Sequence, residues 1–70
     1  MKDLRQNEFV DLMEMNELLY EVFEYFIKAD IPGLGNVTYY PKKNKLHITK
    51  QNEWKENGFY FIKNYLSKNK

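Results

Sequence analysis

The chain has no cysteine, only three glycines and two prolines in 70 residues, and single copies of arginine, histidine, serine and tryptophan. Without cysteine there is no disulfide framework, no thiolate zinc site and no cysteine nucleophile, a usage that fits a reducing cytoplasm but also any bacterial compartment. A chain this short buries only roughly 60% of the surface its unfolded form exposes. With disulfides excluded, self-association is the remaining common way to stabilise it. The lone arginine, Arg5, leaves the basic residues without the guanidinium fork that most often reads guanine. His47 has no positioned nucleophile beside it, and the one serine, Ser67, falls in a tail expected to fray, so no hydrolase triad emerges. Gly33-Leu34-Gly35 is followed by neither a Gly-Lys-Ser/Thr triplet nor a helix start, and reads as a turn rather than a phosphate loop. No uncharged run approaches the roughly 20 residues of a membrane span, and the opening MKDLRQNEF lacks an apolar signal-peptide core. The expectation is a single non-enzymatic cytoplasmic domain over residues 1–70, with no cofactor, no metal and no membrane attachment.

What is present is aromatic and charged: 17% Phe, Trp and Tyr, and 30% Asp, Glu, Lys and Arg. The charge is segregated. Residues 1–30 carry eight acids against Lys2, Arg5 and Lys28, a balance of −5, and residues 31–70 carry eight lysines against Glu53 and Glu56, a balance of +6. The halves attract one another within a chain or between chains.

Residues 7–29 contain neither Gly nor Pro and are rich in straight-chain helix formers, which predicts one long helix. On a wheel of 100° per residue its apolar side chains span about two-thirds of the circumference, far more than the stripe of about 100° that a surface helix needs. Its length of about 35 Å exceeds the roughly 28 Å diameter of a compact domain of this size. Both features predict a homodimer, joined through Met15, Leu18, Val22, Tyr25 and Phe26. Pro32-Gly33 suits the centre of a type II turn and ends that helix. Val37–Tyr40 and Lys45–Thr49 read as a hairpin, with Val37, Tyr39, Leu46 and Ile48 inward, and Pro41-Lys42-Lys43-Asn44 as its turn. The last third reads as a helix capped near Asn52, with Trp54, Phe61 and Tyr65 on one face, at odds with the hairpin signal of Asn57-Gly58. The expected fold is α+β in the order α-β-β-α, a long N-terminal helix packed on a β-hairpin and a C-terminal helix. The alternative is one helix with a three-stranded antiparallel meander.

Two kinds of binding surface follow. Glu14, Glu17, Glu21 and Glu24 fall within about 80° of one another on the wheel and would form an acidic ridge for a basic protein partner. An aromatic patch including Trp54, Phe61 and Tyr65 is a second docking candidate. Lys42, Lys43, Lys45 and Lys50 with Tyr40 would gather positive charge and a stacking ring at the hairpin tip, a candidate phosphate-binding patch for nucleic acid. The near-neutral net charge of +1 favours a regulatory protein-interaction module over a nucleic-acid binder.

Overall fold

In the computed structural model, which describes residues 4–68, the first helix stops halfway along the stretch expected to be helical. Helix α1 is Leu4–Met15, about 18 Å long at the usual rise. Its end is a Schellman cap: the Glu17 amide donates to the Glu14 carbonyl and the Leu18 amide to the Met13 carbonyl, with Glu17 left-handed at φ 56°. The side chain of Asn16 also donates to the Leu12 carbonyl at 2.8 Å. Leu18 then turns back onto the core, as the residue after such a cap commonly does.

The expected helix over 7–29 is therefore corrected. Beyond the cap the chain forms β1 (Tyr20–Val22) and β2 (Ile27–Ile31), which pair antiparallel with Tyr20 opposite Ala29. Lys28 and Asp30 point away from the core while Ile27, Ala29 and Ile31 are buried, the period of two that a half-covered strand requires. Pro32-Gly33 forms its turn as expected, with Gly33 at φ 89° and the Leu34 amide donating to the Ile31 carbonyl. It joins two strands rather than ending a helix. The hairpin β3 (Gly35–Tyr40) and β4 (Lys45–Ile48) forms as the alternation predicts, with Val37, Tyr39, Leu46 and Ile48 buried.

The expected C-terminal helix begins later than Asn52. Residues Glu53–Glu56 form β5, paired with β4, and only Gly58–Lys68 is helix α2. The fold is mixed α+β, with two helices and a five-stranded antiparallel meander in the order β1-β2-β3-β4-β5. It has three strands more than the expected α-β-β-α arrangement, and two more strands and one more helix than the alternative.

Both helices lie on one face of the sheet. Phe9 and Met13 of α1 and Ile62 and Leu66 of α2 join the inward residues of β2, β3 and β4 in one core, where the Phe9 and Tyr39 rings stack 4.4 Å apart. Gly58 opens α2 so close to β4 that a Cβ there would sit 2.7 Å from the Leu46 Cβ. The turn residue Asn44 ties the same junction. Its side-chain oxygen accepts from the Tyr39 hydroxyl at 2.7 Å and from the Phe59 amide at 3.2 Å, and its amide donates to Asn57 Oδ1 at 2.8 Å. One of the helix's otherwise orphaned N-terminal amides is thus satisfied from the sheet. The radius of gyration is 10.9 Å, matching the value near 11 Å expected for a compact chain of this length.

Candidate functional site

Among the described residues no helix lies over the second face of the sheet, and its register sets out what is displayed there. One cross-strand row runs Glu21, Lys28, Thr38, His47, Trp54, and a second runs Tyr40, Lys45, Glu56. At one end of this face five rings follow one another. Phe23 and Phe26 stack across the β1–β2 turn at 4.8 Å; Phe26 meets Tyr40 at 5.8 Å, Tyr40 meets Trp54 at 5.6 Å, and Trp54 meets His47 at 4.7 Å. The ribbon thus spans the sheet from the β1–β2 turn to the opposite edge. Trp54 is 56% exposed and Phe23 37%, while Phe26, Tyr40 and His47 are half-buried by their neighbours. His47 Nε2 lies 3.1 Å from Asn52 Oδ1, and the Lys28 ammonium sits 5.7 Å from the Phe23 ring centre. Beyond the rings lies an open concavity of about 500 Å³ whose lining mixes Lys28, Asp30, Asn36, Thr38 and Thr49 with Leu19 and Ala29.

Charge on this face is mixed. Lys28 and Lys45 stand against Glu21, Asp30 and Glu56, and the Lys45 ammonium is already 3.7 Å from the Glu56 carboxylate. A polyanion gains little there, because the long-range term that drives phosphate binding needs an excess of cations.

No family model, curated protein or solved structure matches this chain. The geometry alone therefore has to place the expected site residues.

The acidic ridge is not formed. Glu14 lies in the last turn of α1, Glu17 in its cap, Glu21 on β1 and Glu24 in the β1–β2 turn, so no single helix face unites them. Glu14 instead accepts a hydrogen bond from the Tyr20 hydroxyl, which holds that phenol above its usual value near 10, with desolvation and the charges of Glu14 and Asp11 adding to the effect. The lysine cluster is divided. Lys42 and Lys43 are exposed in the turn, Lys45 and Tyr40 belong to the open face, and Lys50 is in the loop at the far end of β4, about 17 Å along the strand from Lys45. Nor does the tip project freely, since Asn44 fastens it to the start of α2. Phe61 and Tyr65 stack on α2 rather than beside Trp54, whose ring lies with Tyr40 and His47.

The expected dimer seam also loses its helix. Met15 ends α1, Leu18 follows the cap, Val22 is on β1, and Tyr25 and Phe26 lie in the β1–β2 turn. The surplus of apolar surface nevertheless survives the change of fold. Of the seven large hydrophobic residues exposed among those described, five (Met15, Leu19, Val22, Phe23 and Tyr25) lie between positions 15 and 25.

The ring ribbon is not evident from the sequence, although the hairpin alternation that turns Tyr39 and Leu46 inward turns Thr38, Tyr40 and His47 outward. Its other members, Phe23, Phe26 and Trp54, fall in stretches whose pattern predicts helix. Alternation alone would have aligned Trp54 with His47 once Glu53–Glu56 was read as a strand.

Proposed function

We propose that this domain is a protein-interaction module that docks an extended, apolar-rich segment of a partner protein across its open sheet face. The observation that carries this reading is the five-ring ribbon on the face no helix covers. Large rings lose little conformational freedom on contact, and they dominate the energetics of protein interfaces. The adjacent concavity, of mixed polar and apolar lining, adds hydrogen-bonding side chains such as Asn36, Thr38 and Thr49 for a partner backbone. The mixed charge of the face favours polypeptide over nucleic acid.

Trp54 is the only tryptophan, so its fluorescence reports on the ribbon directly. Peptides selected from a displayed library against the folded domain are expected to shift that emission. They should lose at least about tenfold in affinity on Tyr40→Ala, the scale of an interface hot spot, and should ignore Lys42→Glu with Lys43→Glu. A library that yields no ligand, alongside a fluorescent oligonucleotide that binds at low salt and is lost in the double lysine variant, would replace this reading with nucleic-acid binding through the turn.

A further inference from the structure

The meander leaves two edges, and they differ. On β5 the side chains are Glu53, Trp54, Lys55 and Glu56, with Glu53 and Lys55 paired at 3.5 Å and Glu56 paired to Lys45. Charges of this kind are how natural sheets block edge-to-edge pairing. β1 carries only Glu21 between Tyr20 and Val22, and its surroundings are apolar.

The backbone at β1 is open in a defined pattern. Asp30 donates its amide to the Leu19 carbonyl and Phe23 donates to the Phe26 carbonyl. Since antiparallel hydrogen bonding alternates along a strand, Leu19, Glu21 and Phe23 turn their amides and carbonyls towards β2, and those of Tyr20 and Val22 point outward. Met15, Leu19, Val22, Phe23 and Tyr25, 37 to 80% exposed, lie around that edge. Together they make this edge the most apolar exposed stretch among the described residues, the kind of surface that a partner copy covers.

We infer that β1 pairs antiparallel with β1 of a second copy of this chain, joining two five-stranded sheets into one. The alternation fixes the register. Only residues of even number present outward backbone groups, so the symmetric pairing that uses both sets four hydrogen bonds between Tyr20 of each copy and Val22 of the other. It places an aromatic ring opposite a β-branched side chain, a favourable cross-strand pair. It also sets the two Glu21 side chains against each other at the centre, each with its own Lys28 alongside in β2. This inference does not rest on the open-face binding proposed above, although Phe23 belongs to both surfaces.

Sedimentation equilibrium over a concentration series is expected to move from 8.6 kDa towards twice that mass, with amide exchange at Tyr20 and Val22 slowing in step. Glu21→Thr removes the like-charge contact and should tighten the pair severalfold. Leu19→Glu, at a side chain 77% exposed, should weaken it at least tenfold without changing the thermal transition of the dilute monomer. Val22→Pro deletes an outward amide, a change that edge strands accommodate, and should weaken it likewise. A particle that stays at 8.6 kDa near millimolar concentration, or a dimer unmoved by Glu21→Thr and with Tyr20 and Val22 amides that exchange at the same rate in both states, overturns the inference. Should Val22→Pro unfold, the Leu19 and Glu21 variants and the exchange data decide.

Discussion

Replacing Gly58 by alanine sets two opposed effects against each other. Alanine is the best helix former and glycine costs about 1 kcal/mol by comparison, so propensity alone predicts a gain of at most about 1 kcal/mol at the first position of α2. The packing predicts the reverse. A Cβ on Gly58 would lie 2.7 Å from the Leu46 Cβ, 3.0 Å from the Leu46 nitrogen and 3.1 Å from the Lys45 carbonyl carbon. Two of these are backbone atoms of a strand held on both sides, and the third is fixed to that backbone, so no rotamer change relieves the contact. Overpacking of this kind costs about 1–3 kcal/mol, and an immobile neighbour places it at the upper end. The net expectation is a loss of about 2 kcal/mol, or about 8–16 °C in melting temperature for a domain of this size. Thermal and urea unfolding followed by circular dichroism measure it. A variant as stable as the parent, or more so, would show that α2 can lift from β4 and that close approach is not why glycine stands there.

Glu17→Gly relieves a left-handed conformation at the end of α1 and should stabilise the domain by about 0.5–1 kcal/mol, read from the same unfolding curves. Asn44→Gly keeps the left-handed turn but loses the side-chain bonds to Tyr39, Asn57 and Phe59. Asn44→Ala loses both, so alanine should cost about 2–3 kcal/mol and glycine about 1 kcal/mol less than that. Tyr20 favours its neutral phenol in the folded state, so its share of stability is full below about pH 10 and is lost as pH rises through the raised folded value. In an absorbance titration, Glu14→Ala should bring the Tyr20 phenol down.

How much of this was legible varied by element, for physical reasons. The β3–β4 hairpin was readable because alternation and turn chemistry agreed over Val37–Thr49. The first helix was overextended because its cap puts glutamate, not glycine, in the left-handed position. The next turn hid for a similar reason: β1 passes to β2 through Glu24-Tyr25, neither of which has positive φ, so the usual Asn-Gly signal is absent. One signal was present and misread. Lys-X-Asn recurs at 42–44, 50–52 and 55–57, and each asparagine is left-handed, at φ 54°, 51° and 52°. At Asn44 the neighbouring proline and flanking strands mark the turn, whereas at Asn52 the asparagine also suits a helix cap, which conceals β5 and with it the position of Trp54. The candidate site depended on that one assignment more than on any composition.

Because strand order follows chain order, every strand finds its partner among residues just made or just about to be made. Loop closures stay short and contact order stays low for a sheet, which favours a folding rate well above that of Greek-key barrels of similar size. A single-exponential stopped-flow refolding phase in milliseconds or faster would bear this out. On the ribosome, the meander can grow one hairpin at a time, and α2, which follows all five strands, closes the core by seating Gly58 against a strand already in place.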